Sequence, residues 1–160
     1  VFVGQSSACE VQLADRADAS LRNVERALLV RADDAHVDLR TVRDVTLRLI
    51  TANVFARDVT GRVEVRAQDT DLDLECVPPT YSPEFDLAGT SRARLVLPQP
   101  CTVRVEGAPG DETRALAVNG CDVLGAGKRN VAPRAPGSRP AVFATAKVSP
   151  PATVEIFAGM

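Results

Sequence analysis

The chain has 160 residues, of which 45% are hydrophobic, so it is long and apolar enough to form one domain with a continuous core. Aromatic residues make up only 4% and there is no Trp, so Val, Leu, Ala and Ile must build that core. The formal net charge of -2 argues against a nucleic-acid-binding protein, which needs a basic surface. No run approaches the roughly 18 apolar residues that a membrane-spanning helix requires, so we predict no membrane span.

Apolar and polar residues alternate from about residue 11 to residue 76. A period of two, together with many β-branched residues, predicts β-strands separated by short polar turns. The alternation is clearest at Val37 and Leu39, at Val45, Leu47 and Leu49, at Val63 and Val65, and at Leu72, Leu74 and Cys76.

A helix competes with a strand only between Ser20 and Val30. There Leu21, Val24 and Leu28 follow the i, i+3, i+7 spacing of an amphipathic helix, and Ser20 is a suitable N-cap. We favour a strand, because the same segment aligns with later segments of the chain.

The alternating segments also repeat. The tetrapeptide Arg-Asp-Val-Thr occurs at 43–46 and again at 57–60, and the corresponding shift of 14 places Leu49 on Val63. Both this shift and a shift of 18 are even, so inward residues stay inward on a pleated strand, and the sequence leaves the register open. The shift of 18 places Leu21, Arg22, Val24 and Leu29 on Leu39, Arg40, Val42 and Leu47, and Val45 and Leu47 on Val63 and Val65.

Units of roughly 14 to 18 residues, each with two short strands and a polar turn, cannot bury their own apolar faces. Stacking such units buries those faces continuously. We therefore predict an all-β fold with a parallel β-helix or solenoid-like stack. The alternative is an antiparallel β-sandwich or barrel, whose strands resemble one another because all half-buried strands alternate.

The pattern changes after Cys76. The proline-rich stretch VPPTYSP predicts a loop at 77–85 that ends the repeat rungs of 11–76. We predict that region 86–160 adds strands that cap the stack within one domain spanning 1–160, because an open solenoid end is an exposed edge. The strand candidates are Arg92–Leu97, Thr102–Glu106, Thr113–Val118, Ala141–Val148 and Thr153–Phe157.

Four cysteines allow two disulfides in an oxidising compartment, or four free thiols. In a solenoid, Cys9 lies in the first rung and Cys76 in the last, so rungs stacked at about 4.8 Å hold them beyond the roughly 7 Å Cα limit for a disulfide. Cys101 and Cys121 flank one hairpin-like segment and are the pair that we predict. A zinc site is not expected, since there is no C-x-x-C motif and His36 is the only histidine.

The acidic run DTDLDLE places Asp69, Asp71, Asp73 and Glu75 on one face of a strand. It lacks the spacing of a calcium loop, because the sixth residue is not Gly and the twelfth is not Glu. We interpret the run as a solvated face whose carboxylates pair with arginines of a neighbouring rung. The alternative is a glycan-cleaving site built on the same acids. The candidate partners of these carboxylates are Arg57, Arg62 and Arg66.

Two further motifs are interpreted as structural. The GAGK stretch at 125–128 is a turn, because a phosphate loop would need Gly at Asp122 and Ser or Thr at Arg129. A catalytic triad could use only His36, which is predicted to point outward between acids. We therefore predict no enzyme activity, no catalytic, cofactor-binding or metal-binding residues, and no cofactor.

Residues 35–76 resemble the bacterial putative-adhesin β-solenoid families, and DVTGRVEVR, Asp58–Arg66, is the closest copy of their rung. Residues 97–111 look like the capping strands that follow such repeats. The resemblance implies a structural or adhesive role at the cell surface or outside the cytoplasm. The chain begins at Val1 rather than Met, as a processed product with a removed export signal would.

A second, weaker resemblance is to the β-helix domain of tubulin cofactor C and its relatives, which stimulate GTP hydrolysis with an exposed arginine. The function predicted from the sequence is a non-enzymatic, structural or adhesive β-solenoid, which presents a face to a protein partner or assembles with copies of itself. The alternatives are an adaptor module of the cofactor C type and a glycan-active β-helix enzyme.

Overall fold

The structure is a computed structural model that describes residues 2–3, 9–25, 28–98, 101–107, 121–124, 142–149 and 152–159. These residues form a β-solenoid, and their strands join one sheet in which every pairing is parallel. The antiparallel alternative is therefore wrong. The strands are β1 Phe2–Val3, β2 Cys9–Leu13, β3 Asp18–Val24, β4 Leu28–Asp33, β5 His36–Ile50, β6 Asn53–Gln68, β7 Asp71–Ala88, β8 Arg92–Pro98, β9 Cys101–Gly107, β10 Cys121–Leu124, β11 Val142–Val148 and β12 Thr153–Gly159. Among the described residues, no helix has the length and apolar character needed to cross a membrane.

Each rung bends where its backbone adopts positive φ. One column of such residues, Asn23, Thr41 and Asp58, lies within the rungs, and another, Asp34, Thr51 and Asp69, lies between them. Asp and Asn are the residues that tolerate this left-handed conformation best after Gly, which explains four of these six positions, whereas Thr41 and Thr51 are β-branched and adopt it at a cost. The bends separate two surfaces of the solenoid. The first face is formed by the first strand segment of each rung, at 18–22, 36–40, 53–57, 71–75 and 92–96. The last face is formed by the last strand segment of each rung, at 28–33, 45–50, 63–68 and 84–88.

The register confirms the shift of 18. Leu21 pairs with Leu39, and Val45 pairs with Val63. The offset varies locally, so Leu47 pairs with Val30 rather than with Leu29. The segment from Ser20 to Val30 contributes to two strands, as predicted, and not to a helix.

The shift of 14 is wrong as a rung register, because Leu49 pairs with Ala67 and not with Val63. The two Arg-Asp-Val-Thr copies occupy different places in the rung. Their aspartates, Asp44 and Asp58, both have positive φ, of 51° and 55°. The tetrapeptide therefore repeats the chemistry of a bend, and the bend occurs at two different corners.

The core is a set of stacked apolar columns. The alternation predicted from the sequence is confirmed, since every second residue of β5 and β6 is buried between the bends. Each inward side chain packs between its register partners in the rungs above and below. One column crosses seven strands and contains Val11, Val30, Leu47, Val65, Phe85, Ala146 and Val105.

Two bends share an Asp–Gly contact between rungs. Asp44 Oδ1 accepts a hydrogen bond from the Arg62 backbone N–H at 2.8 Å, and Gly61 directly before it has a φ of 77°. In the same way, Asp69 Oδ1 accepts the Thr90 N–H at 2.7 Å, directly after Gly89. A carboxylate of one rung thus caps the left-handed turn of the next.

The predicted loop at 77–85 is wrong, because β7 runs through this range and further rungs stack beyond it. The prolines are accommodated by a local expansion of the rung. Val59 pairs with Cys76, whereas Gly61 pairs with Thr80, so the stretch 77–79 lies opposite a single residue and bulges out at a bend. A bulge needs no ladder hydrogen bond from a proline nitrogen, which is why the stack continues.

The predicted capping region continues the stack, and its order is not sequential. Strand β11 lies between β7 and β9, and β12 pairs with β8. Four of the five predicted strands are confirmed as β8, β9, β11 and β12, and β10 was not predicted. The candidate at 113–118 and the GAGK stretch at 125–128 lie outside the described residues.

Candidate functional site

The acidic run of β7 has the orientation predicted from its alternation. Asp71, Asp73 and Glu75 face outward on the first face, whereas Leu72, Leu74 and Cys76 are buried beneath them. Asp69 precedes the strand, at a bend, and its carboxylate is engaged by Thr90. Three of the four acids therefore form the predicted row, and the fourth has a structural role in a turn.

Asp73 is the centre of an ion-pair network that joins three rungs. Arg57 of the preceding rung donates two hydrogen bonds to it, from Nη1 to Oδ1 at 2.8 Å and from Nη2 to Oδ2 at 3.2 Å. Arg94 of the following rung donates to Oδ1 at 3.3 Å. Arg57 Nε also lies 3.4 Å from Glu75 Oε2. The two hydrogen bonds make the Arg57–Asp73 pair bidentate, which is a strong and geometrically specific form of ion pair.

Two phenylalanines flank this network. The Arg57 Cζ atom lies 4.2 Å from the centroid of the Phe55 ring, and the Arg94 Cζ atom lies 4.7 Å from that of Phe157. Cation–π contacts of this kind add to the ordering of the guanidinium groups. The first face thus carries an ordered patch of arginine, aromatic and carboxylate groups.

The sequence identified only part of this network. Arg57 was predicted as a partner of the acidic run and is confirmed. Arg62 and Arg66 were also considered, but they lie elsewhere: the Arg62 N–H binds Asp44, and Arg66 lies 3.5 Å from Glu64 on its own strand. Arg94 was missed because the rung that separates it from its register partner Asp73 is longer than the repeat in the sequence.

The electrostatics keep Asp73 charged. The hydrogen bond from Arg57 is the main reason that the pKa of Asp73 is lowered, with the charges of Arg57 and Arg94 acting in the same direction against the opposing effect of burial. The pKa of Asp69 is lowered as well, by its hydrogen bonds from Thr90. Both groups are therefore suited to accept hydrogen bonds and not to donate a proton at neutral pH.

This arrangement gives a pH prediction. Because the folded pKa of Asp73 is below its ordinary value of about 3.9, its stabilising contribution is complete above that value and is lost as pH falls through the folded pKa. Following the carboxyl carbon shift of Asp73 by NMR should show titration below the ordinary range. Arg57→Gln should raise that pKa, and the control Arg66→Gln should leave it unchanged. Titration of wild-type Asp73 at the ordinary value would contradict the network.

The stacking argument predicted that Cys9 and Cys76 do not bridge, but its placement of Cys76 in the last rung is wrong, because β8, β9 and β11 stack beyond β7. Cys9 and Cys76 are both free, which confirms that they do not bridge. Cys101 and Cys121 are register partners on the adjacent parallel strands β9 and β10, so these strands do not form the hairpin that the sequence predicted. Neighbouring strands lie about 4.8 Å apart, within the Cα range of a disulfide, so the register supports this pair, which stays a prediction.

Thiol labelling tests this assignment. Burial raises the pKa of Cys76 to about 12, with Glu75 adding to the shift, whereas Cys9 is only partly buried. In native, unreduced protein at pH 8, iodoacetamide should modify Cys9 and leave Cys76 unmodified. After denaturation without reductant both should react, and Cys101 and Cys121 should react only after reduction. Equal native labelling of Cys9 and Cys76 would contradict the buried position of Cys76.

His36 begins β5 and is exposed on the first face, in the outward position that the sequence predicted. Its register partners are Asp18 and Asn53. Among the residues that the structure describes, no group of three or more His, Cys, Asp or Glu side chains is arranged to hold a metal ion.

Comparisons with known proteins add no assignment. No family model matches the sequence, and no curated protein or solved structure matches it significantly. The likenesses to the adhesin families and to the cofactor C relatives therefore stay predictions from the sequence. Support for a function therefore comes from the solenoid's own core, faces and ends.

Proposed function

We propose that this protein is a non-enzymatic structural β-solenoid, which acts as a rigid scaffold and assembles with copies of itself or with a protein partner. The observation that carries the proposal is the continuous core, in which one apolar column crosses seven strands. Such an interior is filled by side chains, so the outer faces and the ends are the surfaces available for function.

The two ends support self-assembly. At one end β2 pairs only with β4, and at the other β10 pairs only with β9, among the described residues. Because all of the strands are parallel, the free edge at one end has the hydrogen-bonding polarity that complements the free edge at the other. Head-to-tail contacts of this kind generate open filaments when the rotation does not close.

The other hypotheses have less support. A glycan-cleaving enzyme needs a carboxylic acid with a raised pKa, whereas the pKa values of Asp69 and Asp73 are lowered. An adaptor module of the cofactor C type would use an exposed arginine; Arg57 and Arg94 are paired with Asp73, whereas Arg31 and Arg48 are exposed, so this alternative is supported only by the resemblance in the sequence. An adhesive role and a location outside the cytoplasm are compatible with a rigid solenoid and form part of the proposal.

Light scattering on a sizing column tests the proposal. The mass should rise with protein concentration in the presence and absence of reductant. Lysines at Glu10 and Gln12 of the edge strand β2 should reduce the mass toward that of a monomer, because charged side chains protect an edge. Matched lysines at Thr46 and Thr60, on central strands, should leave it unchanged. A monomer at every concentration would contradict self-assembly and leave partner binding as the role.

A further inference from the structure

Three arginines form a column on the last face. Arg31 pairs with Arg48, and Arg48 pairs with Arg66, so their Cα atoms follow the solenoid axis at the strand spacing of about 4.8 Å. All three are exposed. Like charges that lie directly opposite on neighbouring strands are destabilising, so the column has a cost in the isolated protein.

The column is only partly neutralised by the protein. Within the described part of the chain, Arg31 and Arg48 have no ion-pair partner, and Arg66 has one contact, with Glu64 at 3.5 Å. In the corresponding column of the first face, which consists of Arg22, Arg40 and Arg57, two of the three arginines are paired. Arg40 lies 3.3 Å from Asp38, and Arg57 is held by Asp73 and Glu75. The last face therefore keeps cationic groups available.

An apolar groove runs beside the arginine column. Its volume is about 580 Å³, and it is lined by residues from five successive rungs, at 12–14, 31–33, 48–50 and 66–68, and by Asp86 and Ala88. Ile50 contributes a side chain that is 49% exposed, and Ala88 lines the groove two rungs away. Along the stack, Ile50 lies between Asp33 and Gln68, so the groove offers one exposed large apolar side chain beside unpaired cations, which binding would cover.

We propose that this groove binds an extended, acidic segment of a partner protein, with carboxylates on the arginine column and an apolar side chain against Ile50. Alternate residues of an extended chain lie about 6.6 to 6.8 Å apart. Two such carboxylates fit within the span of roughly 10 Å between Arg31 and Arg66, each near two guanidinium groups.

The other charges in the groove favour a peptide over a uniform polyanion. Asp33 and Asp86 also line it. They repel a ligand that carries a negative charge at every repeat, such as a nucleic acid or a sulfated polysaccharide. They tolerate a segment in which acidic residues are separated by apolar ones. This inference is independent of the proposed self-assembly, which uses the ends of the stack.

Fluorescence anisotropy with a defined probe tests the proposal. The probe is a fluorescein-labelled peptide of seven residues that alternates glutamate with leucine, and the control peptide alternates glutamine with leucine. The wild-type protein should bind the first and not the second. The double variant Arg31→Gln, Arg48→Gln should bind the probe about tenfold more weakly. Ile50→Asn should also weaken binding, because the exposed apolar side chain of the groove is removed.

The matched control is Arg22→Gln with Arg40→Gln, which removes the same charge from exposed positions of the first face. This variant should bind the probe as the wild type does. Equal binding by both double variants, or equal binding of the two peptides, would overturn the proposal. Tighter binding of heparin than of the acidic peptide, lost in the Arg31/Arg48 variant, would overturn it in favour of a polyanion. Light scattering of the same variants separates this result from a failure of self-assembly.

Discussion

Leu47→Ala is expected to lower the free energy of unfolding by about 2–5 kcal/mol. Leu47 is fully buried and packs between Val30 and Val65, at the middle of the core column. The truncation leaves a cavity that the parallel backbone cannot close, because the rung spacing is fixed by hydrogen bonds on both sides. Such a loss is a large fraction of the stability of an ordinary domain.

Urea unfolding followed by circular dichroism measures this effect. The matched control is Ile50→Ala on the same strand, where about half of the side chain is exposed and the expected change is about 0.5 kcal/mol. A loss at Leu47 no larger than the loss at Ile50 would contradict the inward position of Leu47 and, with it, the register of β5.

Gly61→Ala is expected to destabilise the protein by about 2–3 kcal/mol, from a backbone cost and a lost hydrogen bond. The residue has a φ of 77°, which costs an L side chain about 1–2 kcal/mol. An added Cβ would also contact the Asp44 carboxylate and displace it from the Arg62 N–H. That displacement removes a charged hydrogen bond at the bend, which adds to the backbone cost.

A double-mutant cycle isolates the contact. Asp44→Gly removes the carboxylate that the new Cβ would meet, and glycine keeps the positive φ of 51° at that position. In the Asp44→Gly background, Gly61→Ala should cost less than it does in the wild type, because only the backbone term is left. Equal costs in the two backgrounds would show that Asp44 does not approach Gly61.

The inward residues of the central rungs could be predicted because their environment is repeated. Every second residue of β5 and β6 packs between like residues, so the local alternation and the shift of 18 predict the same inward side chains. The bends were harder to predict, because the Arg-Asp-Val-Thr repeat marks an aspartate with positive φ and does not mark the length of a rung. The cap formed by Asp44 and Gly61 depends on two residues in different rungs, and nothing adjacent in the sequence marks it.

Only part of the ion-pair network around Asp73 could be predicted from the sequence, for a related reason. Arg57 and Asp73 lie 16 positions apart, close to the repeat, and their pairing follows from the stacking. The bulge at 77–79 lengthens the next rung, so Arg94 falls outside the period. The insertion of β11 between β7 and β9 has no local signature, because any parallel strand with an apolar inward face fits either position.

The position of β11 between β7 and β9 is the feature of the continuous stack that cysteine cross-linking tests most directly. Glu84 and Thr145 are register partners on β7 and β11, whereas Glu84 and Arg104 are two strand spacings, or about 9.6 Å, apart. Under mild oxidation, with bridges mapped by mass spectrometry, Glu84→Cys with Thr145→Cys should form a disulfide, and Glu84→Cys with Arg104→Cys should not. Bridging of the second pair and not the first would show that β9 stacks directly on β7, and would contradict the order of the solenoid described above.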